Sequence, residues 1–136
     1  MTCFVDSSAF LAMLDDDDTN HRPAAAIWTQ LLAADESLIT SSYVIVEVTA
    51  VLQRRVGMDS VRAFHEDYVP LVSIQWVEET IHASALSALL AANRRQLSLV
   101  DCVSFEVMRR RGIIEAFVFD QHFVERGITC LSVPRL

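Results

Sequence analysis

Thr2 to Val5 is a short apolar, β-prone run that stops at Asp6, and Ser7-Ser8 then opens the helical pattern Phe10, Leu11, Leu14. After the polar loop Asp15 to Asn20, Pro23 suits the first turn of a helix through Ile27, Trp28, Leu31 and Leu32. Leu38-Ile39-Thr40 reads as a second strand, and Ser41-Ser42 caps a helix through Tyr43, Val44, Val48, Val51 and Leu52 that Gly57 ends. Asp59-Ser60 begins another amphipathic helix stopping near Pro70, and Val72 to Val77 alternates as a third strand. Glu78-Glu79 opens a long Ala/Leu helix to Asn93, and a separate helix runs from about Val100 to Arg111, with Gly112 as its stop. Ala116 to Phe119 is a continuous apolar strand ending at Asp120. A short helix up to Gly127 and a last strand, Ile128 to Ser132, follow. Strands joined by helices, without tight hairpin turns, predict a mostly parallel α/β sheet covered on both faces.

Length and composition narrow the class. The 136 residues, 52% of them hydrophobic, fit one compact domain spanning 1–136, with no repeat or linker to divide it. The longest apolar stretches, such as Ala83 to Ala92, are too short to span a bilayer, and Met1 to Phe10 lacks the build of an export signal. A cytoplasmic protein without membrane contact is the expectation. Cys3, Cys102 and Cys130 are odd in number and far apart, so they read as reduced packing residues.

A net charge of -7 runs against the usual basic surface of a nucleic-acid binder, but the 11 basic residues are all arginines. Several cluster as Arg54-Arg55, Arg94-Arg95 and Arg109-Arg110-Arg111. Arginine forks grip phosphate oxygens in pairs, whereas runs at helix ends also serve the helix dipole and solubility.

Four carboxylates stand out. Asp6 and Asp120 each directly follow an apolar strand, which puts both on the carboxyl edge of the sheet, where ligands bind in open α/β folds. Helix capping is the plainer explanation for either. Glu47 has the mostly apolar helical neighbours Tyr43, Val44, Ala50 and Val51, which places it in the core-facing stripe. Asp101 lies between Leu99-Val100 and Cys102-Val103. Burying a lone carboxylate costs several kcal/mol, so a cation is expected, either arginine or a metal. Four converging acids would repel by about 4 kcal/mol per close pair at ~4 Å and an effective dielectric near ~20. All-oxygen ligands suit the hard ions Mg²⁺ or Mn²⁺ better than zinc. By contrast, Asp15 to Asp18 and Glu78-Glu79 have polar neighbours and need no ligand.

These segments resemble the PIN-domain family, and more closely its VapC-like toxins. The matching stretches are Phe4-Val5-Asp6-Ser7-Ser8, Ser42 to Leu52 around Glu47, Leu97 to Asp101, and Phe119-Asp120-Gln121-His122-Phe123 followed by Gly127. The resemblance implies a three-layer fold with a five-stranded parallel sheet in the order 3-2-1-4-5. It also implies a Mg²⁺- or Mn²⁺-dependent endoribonuclease, the toxin of a type II pair, hydrolysing RNA phosphodiesters with a metal-activated water. Asp6, Glu47, Asp101 and Asp120 would form the acidic metal-binding set, and Ser7 or Ser8 would orient Asp6 or a metal-bound water. An RNA substrate, a cognate antitoxin and a homodimer are the implied partners. Val118 stands where the family often has Thr or Ser, which puts polar support for Asp120 in question, and Met108 stands where a smaller residue is common.

Rival readings fare differently. An aspartyl phosphatase needs a second acid two positions after the first, where this chain has Ser8, and a response-regulator receiver needs a lysine that the chain lacks. A PIN-fold binding module with a weak metal site, and an RNA-processing nuclease without an antitoxin, both remain as alternatives. His122, beside a strand end, reads as structural. The helices holding Trp28 and Phe64 offer either dimer surfaces or core packing.

Overall fold

The computed structural model of the chain describes residues 1–131. In chain order its elements are β1 (Thr2–Val5), α1 (Ser7–Leu14), α2 (His21–Ala33), β2 (Ser37–Ser41), α3 (Ser42–Arg55) and α4 (Met58–Ala63). There follow β3 (Ser73–Gln75), α5 (Glu79–Ala92), α6 (Leu99–Arg111), β4 (Glu115–Phe117), α7 (Gln121–Glu125) and β5 (Thr129–Cys130). Ser132, the end of the predicted last strand, lies outside the described residues.

The sheet has the order β3-β2-β1-β4-β5, and every pairing is parallel, as the family resemblance implies. β1 is the central strand, with Cys3 opposite Leu38 on one side and Glu115 on the other. From β1 the chain steps outward through β2 to β3, then crosses back to β4 and steps outward again to β5. Right-handed connections therefore put the helices before β3 on one face and those after it on the other. The same reversal makes the carboxyl ends of β1 and β4 the switch point, where a crevice opens.

Three predicted strands shorten at the ends, and of the described part of Ile128 to Ser132 only Thr129–Cys130 is strand. β3 is an edge strand held only over Ser73, Ile74 and Gln75 by β2. β4 ends at Phe117 because the next free backbone donor, that of Phe119, leaves the ladder and binds the Ser8 hydroxyl at 2.9 Å. The helix expected from Asp59 to Pro70 is not uniform: after α4 come wide π turns over Phe64–Tyr68 and a 3₁₀ turn over Val69–Leu71. Pro70 has no N–H to continue an α-helix. Gly112 closes α6 in the left-handed conformation, φ 65°, which costs glycine nothing.

The core joins both faces of the sheet. Phe4, Val5, Ala116 and Phe117 are fully covered between helices. Phe10 on α1 meets the rings of Trp28 and Phe64 edge-on, with centroids 6.4 and 5.0 Å away. Trp28 is 9% exposed and Phe64 not at all, so these two rings are core residues and do not form a dimer surface. Cys3 and Cys102 are buried and Cys130 half-buried, all three as free thiols, and burial pushes the Cys3 thiol up to about 12. Among the described residues, no helix is long and apolar enough to cross a membrane.

Phe10 is the keystone of the aromatic cluster. Phe10→Ala should lower stability in urea unfolding by about 3–5 kcal/mol, and a loss below ~1 kcal/mol would contradict its placement.

Candidate metal centre at the carboxyl edge

Asp6 caps α1. Its Oδ2 accepts the Ser8 backbone N–H at 3.0 Å and the Ser8 hydroxyl at 2.7 Å. Its own backbone N–H donates to the Phe117 carbonyl, tying the end of β1 to the end of β4. The Ser8 hydroxyl in turn accepts from Phe119 N–H. One small side chain thus fixes the Asp6 carboxylate and the segment that delivers Asp120. Of the two serines considered, Ser8 is the one that orients Asp6.

The other oxygen of Asp6, Oδ1, is buried and has no hydrogen-bond partner. The residue is 1% exposed. Burial pushes its pKa from the ordinary 3.8 up to about 7; the Ser8 hydrogen bonds oppose the shift, and the charges of Asp101 and Asp120 add to it. Nearby negative charge and a dry site both favour the protonated acid.

Asp101 sits at the third position of α6 in a capping box. Ser98 Oγ accepts from Asp101 N–H at 3.0 Å, and Asp101 Oδ2 accepts from Ser98 N–H at 3.3 Å. This side chain is also buried, and its pKa is raised by desolvation first and by Asp120 second, against the Ser98 hydrogen bonds and His122. Asp120 caps α7, with Oδ1 accepting His122 N–H at 2.8 Å. The polar support expected from position 118 is thus supplied from within α7 and through Ser8, while Val118 itself is core.

Asp101, Asp120 and His122 each offer a ligand atom, and the three atoms lie within 4.8 Å of one another. The His122 Nδ1 is 2.7 Å from Asp120 Oδ1 and 3.8 Å from Asp101 Oδ2. Reading His122 as a structural residue missed this. The available signal was its place two residues after a helix-capping Asp, where the helix start turns a side chain back toward the cap.

Asp6 and Glu47 fall outside that trio. The core-facing stripe of α3 consists of Val44, Ile45, Val48 and Leu52, and Glu47, about 100° round the helix from Val48, is half-buried at its margin. It lines an apolar groove of about 320 Å³ with Tyr43, Val46 and Val100. Val100 is the sequence neighbour of Asp101, and none of the other three acids lines this groove.

Among the described residues, no arginine forms an ion pair with Asp6, Glu47, Asp101 or Asp120. Arg94 pairs with Glu125, and Arg109 and Arg110 with Glu106. Arg111 donates to the Gln75 side chain. Among the described residues Arg55 has no such partner, and it lines a cleft of about 230 Å³ with Ser8, Asp15, Asp18, Asn20 and Phe119. A second cleft shares Asn20 and Phe119 and reaches Asp120. The clefts holding Arg55 and Asp120 thus adjoin at Asn20 and Phe119. The donor set there, carboxylate oxygens with one buried oxygen left unpartnered, fits a hard divalent cation.

The chain and its fold have known relatives. Residues 3–128 match the family model described as PIN domain. The chain is 31% identical over 125 residues to the 23S rRNA-specific endonuclease VapC20 of Mycobacterium tuberculosis strains CDC 1551 and H37Rv, covering 91% of this chain and 93% of that protein. The crystal structure of that VapC20, described as a sarcin-ricin loop cleaving toxin, superposes with a TM-score of 0.83 at 29% identity, covering 98% of this chain and all of the other. FitAcB from Neisseria gonorrhoeae shares the fold, with a TM-score of 0.67 at 13% identity over 96% of each chain. Strand order, the placing of three acids at one sheet edge and the match along nearly its whole length converge: the chain belongs to the PIN-domain family.

Proposed function

We propose that the chain is a divalent-metal-dependent endoribonuclease acting as the toxin of a toxin-antitoxin pair. The observation that supports this most is the buried, unpartnered Oδ1 of Asp6 beside Asp101 and Asp120, in a chain similar over 91% of its length to a 23S rRNA endonuclease. Ribosomal RNA is therefore the substrate to test first. Asp6, Asp101 and Asp120 are the inner carboxylates for Mg²⁺ or Mn²⁺, and Glu47 completes the set from α3. An antitoxin and a second copy of the chain are the proposed protein partners, and a ribosomal substrate places the work in the cytoplasm.

The division of labour follows from the hydrogen bonds. Ser8 holds Oδ2 of Asp6 and leaves Oδ1 without a partner. Ser98 fixes Asp101, and the start of α7 fixes Asp120. When bound, the cation supplies charge to offset that on the phosphate and a water acidic enough to attack phosphorus. Arg55, in the adjoining cleft, grips a phosphate of the same strand. No side-chain nucleophile is needed.

Three outcomes test the reading. First, the raised pKa of Asp6 means that, without metal, the unfolded chain gives up this proton before the folded chain does. Stability from Asp6 is full below 3.8, declines as pH rises toward about 7, and is absent above it. With chelator at pH ~8, Asp6→Asn should therefore melt several degrees above the parent, while near pH ~4 the two should converge. Millimolar Mg²⁺ or Mn²⁺ should raise the melting temperature of the parent and hardly that of the variant. Equal melting at pH ~8 with no response to either ion would defeat the assignment. Second, ribosomal RNA should be cut with Mn²⁺ and not with chelator, and Asp101→Asn should lose at least about 100-fold in rate. A variant as active as the parent would place the activity elsewhere. Third, Arg55→Ala should weaken RNA binding in filter assays and flatten its salt dependence by about one phosphate contact, with metal-dependent melting unchanged. Unaltered binding would remove this cleft from the RNA path.

A further inference from the structure

The contact between His122 and Asp120 is unusual for an ion pair. Nδ1 and Oδ1 are 2.7 Å apart, yet the angle between them is not that of a hydrogen bond, so Nδ1 is a buried nitrogen without a hydrogen-bond partner. Oδ1 of Asp120 already accepts the His122 backbone N–H. Two ligand atoms side by side, neither directed at the other, are what a shared third point in front of both would produce. Adjacent ligands at ~2.1 Å from an octahedral ion sit about 3 Å apart, near this spacing. The same edge holds Asp101 within 4.8 Å of both atoms and the unpartnered Oδ1 of Asp6, on a side chain 1% exposed. Two orphaned polar atoms on different residues, one nitrogen and one oxygen, thus lie at one edge of the sheet.

We infer that His122 is a direct ligand of the divalent ion through Nδ1, making the site a mixed nitrogen and oxygen site that prefers Mn²⁺ over Mg²⁺. This rests on the metal-dependent reading above and adds to it a ligand and a selectivity. An all-oxygen set treats the two ions nearly alike, whereas imidazole suits Mn²⁺ and the later transition ions better than Mg²⁺. The other three histidines are engaged elsewhere. His21 Nδ1 lies against the Ala12 carbonyl, His65 Nε2 against the Thr49 hydroxyl, and His82 Nδ1 against the Tyr43 hydroxyl. The neutral ring binds through the Nδ1 lone pair and keeps its proton on Nε2, so no proton or electron transfer is involved.

The test is electron spin echo envelope modulation of the full-length protein loaded with stoichiometric Mn²⁺, with binding constants for Mn²⁺ and Mg²⁺ measured alongside. The parent should show modulation from one directly bonded ¹⁴N. His122→Ala should lose it and bind Mn²⁺ at least about tenfold more weakly, with a smaller loss for Mg²⁺. His122→Asp, which restores a hard ligand, should recover Mg²⁺ binding without the nitrogen signal. If His122→Ala fails to fold, the parent spectrum and His122→Asp still decide. Bound Mn²⁺ without nitrogen modulation in the parent, or modulation that survives in either variant, overturns the inference and leaves the metal-dependent nuclease standing. A parent that binds no Mn²⁺ at all overturns both.

Discussion

Burying the Asp6 carboxylate with only one of its oxygens satisfied is the constraint around which the carboxyl edge is arranged. A group with 1% exposure cannot turn to water, and an unpaired buried charge costs several kcal/mol. The fold does not remove that cost with an arginine. It places two more carboxylates close enough to push the Asp6 pKa in the same direction as burial does. A site that raises the energy of its own ionised form gains most when a cation arrives, because binding relieves desolvation and mutual repulsion together. On the proposed reading, the stability sacrificed in the metal-free protein would be the source of affinity for the ion.

The precision of the arrangement comes from helix starts. Asp6 caps α1, Asp120 caps α7, and Asp101 closes a capping box with Ser98 at the start of α6. Capping and metal binding are not competing explanations for these acids. A cap occupies one oxygen and fixes the orientation of the carboxylate, which leaves the second oxygen pointing outward from a rigid element. Ser8 adds the link between strands by donating to Asp6 and accepting from Phe119. Replacing its hydroxyl would loosen both the first acid and the segment carrying the fourth.

Asp6 and Asp120 were legible in the sequence because an apolar run ending in a carboxylate marks a strand end, and strand ends in a parallel sheet share an edge. Asp101 stood out by its apolar neighbours and is indeed buried. Glu47 was misread for a geometric reason: a stripe inferred from neighbours at any helical offset is wider than the face that packs, and a residue one step from Val48 sits on its border. His122 was read as structural because its value depends on where α7 turns, which no periodicity encodes. Trp28 and Phe64 show the opposite limit, since a large aromatic on a helix looks the same in sequence whether it meets a partner or Phe10. The π turns at Phe64–Tyr68 likewise carry no sequence signal that separates them from an ordinary helix.

The acidic balance of the chain bears on how RNA reaches this edge. With a net charge of -7 and most arginines of the clusters at positions 94 and 109–111 already engaged, the bare protein has little to offer a polyanion. The metal-free centre, once ionised, would repel a phosphate outright. On the proposed reading, a bound cation would offset most of that charge at the point where the scissile group must sit, and Arg55 would be a second anchor in the adjoining cleft. Substrate binding and metal binding are then linked steps, with the ion acting as part of the RNA-binding surface as well as part of the chemistry. An acidic nuclease of this kind holds RNA by a few well-placed charges where a basic one would use a broad field.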